Sequence, residues 1–404
     1  MRSTGADVST RFVEAAQHLS VGHIGLAEAH ARTILDSVPD HAGVWNLLGV
    51  IAARIGYSDL AAEYFMRAIE SEPGFAQAKE NLSTVRCAPM RPALPDAERF
   101  LIVEAWGSGF WSDVCHVLGC LLLAEITGRI PITHWGANSL FAAGTGDAFR
   151  LYFRPVSALT LDNVRAVEGA SYFPPSWSRS DWPAAGPAGA AKSGLSGLYF
   201  LNRPETVAVS DSYVSVFQLL PWIPKVHPLH GKPVDAVYRA LFAKYLHPAG
   251  TVLGEVETFY REKLAGRPAI AVHVRGSDKW SEMRQAFHGA QRYFDILDRE
   301  DSAARIFLLT DDLRALAEFR NRYGERVIAT ECQRTRADFG LHLQHATDHV
   351  RAAQEVMIDV FLALRCDRFF GMGWSNVSAI IAMLKPWSGQ CFLLGPNILM
   401  DRFV

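Results

Sequence analysis

Residues 269–279 read Ala-Ile-Ala-Val-His-Val-Arg-Gly-Ser-Asp-Lys. Five of the first six are apolar, the pattern of a strand buried on both faces. Then the pattern breaks. His273 stands inside the apolar run, Arg275 follows on the same face, and Gly276-Ser277-Asp278-Lys279 turns the chain outward. Titratable groups gathered at the end of a core strand are costly to bury. In an open α/β sheet the carboxyl ends of strands are where ligands bind. The stretch therefore predicts a buried strand of an α/β sheet with a ligand site at its end.

The flanking sequence repeats that theme. Ile306-Phe307-Leu308-Leu309-Thr310-Asp311-Asp312 reads as a second buried strand ending in two acids. Helix 313–323 and a short strand at 326–329 follow, then a polar stretch at 331–349 with His342, His345 and His349, and helix 350–364 with Glu355 and Asp359. Arg368-Phe369-Phe370-Gly371-Met372 is a further strand, and Gly373-Trp374-Ser375-Asn376-Val377-Ser378 opens another helix. Alternating strands and helices predict a parallel sheet over 251–404. Ser and Asn at a helix start suit capping, and the same N–H groups and dipole suit a phosphate. Arg275, whose planar fork clamps phosphate through two hydrogen bonds, completes a diphosphate site. An Asp in that pocket would accept the N–H groups of a guanine. One of Asp311 and Asp312 is expected to cap helix 313–323 and the other to face the site. Their adjacency is not an Asp-x-Asp metal motif, and the three histidines lack the spacing of a zinc site. Trp374 either packs under a nucleotide or fills core.

Upstream, residues 98–250 read as another α/β unit. Arg99-Phe100-Leu101-Ile102-Val103 is a strand, Gly107-Ser108-Gly109 a turn, and Ser112-Asp113 an N-cap for a helix running to about Thr127. Ile130–Trp135 is the next strand. The Gly107 and Gly109 turn either cradles a phosphate at a helix N-terminus or is simply tight. Residues 172–205, with Trp177 and Trp182, form a long Pro, Gly, Ala and Ser-rich loop that either lines a sugar site or is a functionless insertion. Residues 208–247 read as mostly helix or loop.

Residues 1–87 carry an internal repeat. Trp45, Leu48, Gly49, Gly56, Ala61, Phe65, Ala68 and Pro73 fit the tetratricopeptide pattern, with Trp45 and Phe65 filling the gap between two helices. About 34 residues earlier, Gly22, Ala27 and Pro39 stand in register. Two repeats and a closing helix near 76–86 are too few to stand alone, so the segment leans on the next domain or on a second copy. It either binds a partner or is structural. A Pro-rich break at Ala88–Pro95 follows.

Bulk properties narrow the class. The chain has 404 residues, with 49% hydrophobic and 20% charged residues and a net charge of −2, which describes a folded protein with no general attraction to nucleic acid. Six scattered cysteines form no CxxC pair and read as reduced thiols. The polar N-terminus opens no secretory h-region. The apolar run near Val117–Ile126 is too short to span a bilayer and carries Glu125. A cytoplasmic location without a transmembrane segment is expected.

Over about residues 98–400 the chain resembles the fucosyltransferases of the α1,6 type, which include the nodulation and animal core enzymes. The family motif His-x-Arg-Arg-x-Asp-Lys stands here as His273-Val274-Arg275-Gly276-Ser277-Asp278-Lys279, with Thr310-Asp311-Asp312 and the Asp359 and Ser375 pair also in place. The resemblance implies a GT-B-like pair of Rossmann-like domains. Residues 98–250 would form the acceptor side and 251–404 the donor side, transferring fucose from GDP-fucose with inversion, with no cofactor and no metal. It implies that Arg275 holds the β-phosphate near Ser375 and Asn376, that His273 and Asp359 recognise guanine, and that Asp278 and Lys279 sit by the sugar. The family's second Arg is Gly276 here. Glu282, offset by one position from the family's carboxylate, is either the general base or an exposed glutamate. The acceptor is expected to be a glycan or glycoprotein. Repeats fused to a GT-B unit also describe the protein O-GlcNAc transferases, which use UDP-GlcNAc; the His-x-Arg-x-x-Asp-Lys motif speaks against that alternative. A non-catalytic scaffold with a decayed transferase half is the other alternative, supported by the loss of the second Arg.

Overall fold

The computed structural model describes residues 5–87, 98–144, 146–178, 192–276, 291–336, 344 and 348–403. The break at Ala88–Pro95 and Trp182 lie outside them.

Five helices come first: α1 (Gly5–Ser20), α2 (Ile24–Ser37), α3 (Ala42–Arg54), α4 (Ser58–Ser71) and α5 (Ala76–Cys87). α1 pairs with α2 and α3 with α4, and α5 closes the row. Gly49 permits the α3–α4 contact, since a Cβ there would stand 2.4 Å from the Phe65 ring. Phe65 is buried in the gap, and Trp45 packs at its edge against Tyr64 of α4, ring centroids 5.6 Å apart. Trp45 lies half-buried at its margin, its indole donating to the Pro39 carbonyl at 2.8 Å, because that carbonyl satisfies an N–H which full burial would strand.

The remainder forms two parallel sheets. The first holds β1 (Phe100–Glu104), β2 (Ile130–His134), β3 (Tyr172–Phe173) and β4 (Val207–Ser210) in the order β2-β1-β4-β3. β4 corrects the helix-or-loop expectation for 208–247, and β3 lies in the expected loop. At four and two residues these strands are too short to show a period. The second sheet holds β5 (Ala269–His273), β6 (Arg305–Leu309), β7 (Val327–Ile328), β8 (Arg368–Met372) and β9 (Cys391–Leu394) in the order β7-β6-β5-β8-β9. β5 is the middle strand, paired with β6 and β8, which is why its apolar run is nearly continuous.

Helix α6 (Phe110–Thr127) begins earlier than expected. Its N-cap is Gly109, not Ser112 or Asp113. By length and composition alone this helix could cross a membrane, but here most of it is buried in the core that joins both sheets. The other helices are α7 (Leu161–Arg165), α8 (Val216–Leu219), α9 (Val234–Tyr245), α10 (Gly250–Phe259), α11 (Gln291–Leu297), α12 (Leu313–Tyr323), α13 (His349–Ala363) and α14 (Asn376–Leu384). α14 packs on α6 and α9, so the halves share a core. The Trp111 indole of α6 donates to the Val356 carbonyl of α13 at 3.4 Å, and its ring meets Phe361 edge-on.

The helical hairpins lean on the first α/β half through their turns. Gly22 and Gly56, each at positive φ, occupy equivalent turns. The Tyr199 hydroxyl donates to the Gly22 carbonyl, and the Asn202 amide to the Gly56 carbonyl at 2.9 Å. Tyr199 lies within the 3-10 turn Gly197–Phe200, and Asn202 follows it by two residues. Arg32 of α2, half-buried and paired with the buried Glu28, lies between Tyr64 and Trp222 and spans the same contact.

Candidate functional site

β5 delivers His273 and Arg275 to a cavity between the two halves. Ser108, Gly109, Phe110 and Trp111 line it from the first half, and His273, Arg275, Asp311, Glu355, Asp359, Trp374, Ser375 and Asn376 from the second. Residues more than 250 positions apart in sequence thus share one concavity at the carboxyl ends of both sheets, the usual place for a ligand in such folds.

His273 is buried, and burial followed by the nearby Arg275 charge pulls its pKa down to about 3, so the ring is neutral. Its Nδ1 lies 2.6 Å from Ser378 Oγ. That oxygen accepts the Met372 N–H at 3.0 Å, and giving its own proton to Nδ1 satisfies the buried hydroxyl as well. The network therefore assigns the His273 proton to Nε2, leaving an N–H donor for the cavity. Gly371 makes this possible, because a Cβ there would come within 2.5 Å of Ser378 Oγ.

Arg275 donates to Asp311 Oδ2 at 3.1 Å, and the Gly276 N–H donates to Oδ1 of the same carboxylate at 3.3 Å. Asp312 turns the other way. It caps α12 by accepting the Arg314 N–H at 2.7 Å and is gripped by the Arg314 guanidinium. One acid faces the site and the other caps. A Cβ on Gly276 would stand 2.4 Å from Asp312 Cβ, so this backbone excludes an arginine there.

Asp359, on α13, is buried and accepts the Thr330 hydroxyl at 2.7 Å. Burial raises its pKa to about 7, against the opposing Thr330 hydrogen bond and Arg334 charge. Glu355, one turn earlier, accepts the Gln333 N–H at 2.8 Å and pairs with Arg351. Glu355, Gln333 and Cys332 line the cavity without having been assigned to it from sequence. The i, i+4 spacing of Glu355 and Asp359 was the available signal. Ser375 is the N-cap residue of α14, but its side chain makes no capping bond. Asn376 is the first residue of that helix. Trp374 lines the cavity instead of filling core.

Gly107 departs from expectation. It does not line the cavity. Its φ of +81° and the Asn138 carbonyl 3.1 Å from its would-be Cβ make it the turn's hinge of shape, while Gly109 reaches the cavity. His349 is no loop histidine. It starts α13 and places its ring nitrogens against the Leu140 and Gln344 carbonyls, at 2.8 and 3.1 Å. Asp278, Lys279, Glu282, His342 and His345 lie outside the described residues. Among the described residues no group of His, Cys, Asp and Glu is arranged to hold a metal ion.

No protein-family model matches the sequence, and no curated protein sequence is similar to it. Solved structures are similar in arrangement. The fucosyltransferase NodZ from Bradyrhizobium aligns at a TM-score of 0.48 and 18% identity, covering 72% of this chain and 94% of that one. POFUT1 in complex with GDP-fucose aligns at 0.44 and 15%, covering 76% and 100%. FUT1 of Arabidopsis thaliana in complex with GDP aligns at 0.44 and 12%, covering 81% and 76%. None of these three reaches a TM-score of 0.5, so the chemistry of the site is read from its own residues.

Proposed function

We propose that the chain is a GT-B-like, inverting glycosyltransferase that takes fucose from GDP-fucose without a metal. The observation that carries this reading is the meeting of His273, Arg275, Asp359, Ser375 and Asn376 in one cavity. They are the residues of the sequence motif and its distant partners, and each is of the right type for one part of a guanosine diphosphate. Arg275, held by Asp311, and the N-terminus of α14 supply charge and N–H donors for the diphosphate. Asp359 supplies an acceptor and His273 Nε2–H a donor for the guanine edge. The reaction is an in-line displacement at the anomeric carbon. The acceptor hydroxyl bonds to that carbon and its proton goes to a carboxylate, for which the sequence offers Glu282. The bond to the β-phosphate oxygen breaks, and Arg275 with the helix dipole stabilises the departing GDP. The helical hairpins are read as tetratricopeptide repeats, the acceptor as a glycan or glycoprotein, and the location as cytoplasmic.

The test is a thermal-shift comparison of GDP with UDP, followed by a panel of nucleotide sugars read by released nucleotide. GDP should stabilise the chain and UDP should not, and GDP-fucose should turn over. Arg275→Ala should bind GDP at least tenfold more weakly while keeping the wild-type circular dichroism. Stabilisation by UDP alone, or full turnover in Arg275→Ala, sinks the reading.

A further inference from the structure

Behind the first-half wall of the cavity, which Ser108 to Ser112 line, lies a side chain that the donor reading leaves unused. Asp113 sits in the first turn of α6 and is fully buried. Its Oδ1 accepts the Ser108 N–H at 3.2 Å, across the turn that leads into the helix. Its Oδ2 is buried with no hydrogen-bond partner. A buried carboxylate oxygen left unsatisfied is costly and calls for a reason. The Ser108 bond consumes the amide before the helix. Among the described residues the next three N–H groups, of Gly109, Phe110 and Trp111, have no partner and border the cavity that also holds Arg275.

We propose that Asp113 is a positioning residue. By holding Ser108 it fixes the turn so that the Gly109, Phe110 and Trp111 amides face the diphosphate bound by Arg275, and its charge opposes that anion. This rests on the donor reading for the position of the diphosphate. Burial raises the Asp113 pKa to about 7, against the Ser108 and Gly107 amides and the Lys192 charge, so anion binding nearby draws a proton onto the carboxyl. Lys192, whose Nζ donates to the Ala105 carbonyl at 2.9 Å, is the cation facing it. His116, one turn along α6, is held neutral by burial and by Lys192, with its pKa near 3.

The test uses the full chain and two probes, inorganic pyrophosphate and GDP, titrated by calorimetry from about pH 6 to about pH 8. Wild type is compared with Asp113→Asn and Asp113→Ala, with amide exchange followed at Ser108. Asp113→Asn keeps the acceptor and drops the charge. It should bind pyrophosphate at least as tightly as wild type at the upper pH, and the inflection separating the two curves should centre near pH 7. Asp113→Ala should bind about tenfold more weakly at every pH and exchange Ser108 faster. Wild-type pyrophosphate affinity in Asp113→Ala, or equal losses in the two variants, overturns the proposal, and the Asn variant decides it should the Ala variant not fold. If wild type binds pyrophosphate without preferring GDP, the donor reading falls while the variants still judge Asp113. If it binds neither probe, both fall.

Discussion

Gly276 has no room for a side chain, and that single fact bears on the missing arginine. Its would-be Cβ lands on Asp312, which is committed to capping α12. Gly276→Ala should therefore cost about 1–3 kcal/mol by chemical denaturation, as overpacking does, and Gly276→Arg should cost at least as much and gain no affinity for GDP. Asp359 makes a different demand. Its folded pKa of about 7 lies roughly 3 units above the ordinary carboxyl value. The sign follows directly. The folded chain holds this proton more tightly than the unfolded one, so stability falls as pH rises from about 4 to about 7 and is level beyond. At about 1.4 kcal/mol per unit the penalty has an upper limit of about 4 kcal/mol. Asp359→Asn should raise Tm by a few degrees at about pH 8 and by little at about pH 5. The same variant should lose GDP binding tenfold or more, and wild-type affinity should fall below about pH 7 as the acceptor is protonated. Calorimetry and melting curves across that range check both limbs.

The joint between β8 and α14 sets the chemistry of β5. Ser378, on the first turns of α14, accepts the Met372 amide of β8 and donates to His273. Glycine at 371 lets the hydroxyl come that close. Ser378→Ala should leave secondary structure intact by circular dichroism. It frees the His273 tautomer and strands the Met372 N–H, so GDP affinity should fall about tenfold, with a loss of about 1–3 kcal/mol in stability. Unchanged affinity would show that the Nε2 proton plays no part. α6 behaves in the same manner on the opposite wall, where the conformation of one turn decides which amides are left for a ligand.

Much of this arrangement was legible in the chain. The β5 run and its polar end, the acid pair after β6 and the Ser375-Asn376 helix start each follow from local pattern, because a buried strand must be apolar and a helix start must offer caps. Three things were not legible. Strands β3 and β4 are too short for periodicity to speak. The start of α6 at Gly109 depends on Asp113 bonding backward to Ser108, a tertiary choice that a capping pattern cannot reveal. Glu355 and Gln333 join the cavity only because α13 packs against β5 and Glu355 holds the Gln333 amide. The helical hairpins matter to the whole molecule in another way. Their two turns grip one short segment, so removal of residues 1–87 should uncover Trp222, Tyr199 and Asn202 and lower the yield of soluble protein, measured by size exclusion against the full chain. The Gly22 and Gly56 carbonyls act as two prongs entering one socket. A single prong would let the hairpins swivel, whereas two at the repeat pitch lock their heading, so anything carried on their outer face would reach the cleft from one fixed bearing. Any pair of hairpins with glycine turns at that pitch should plug in, and a pair of different pitch should not.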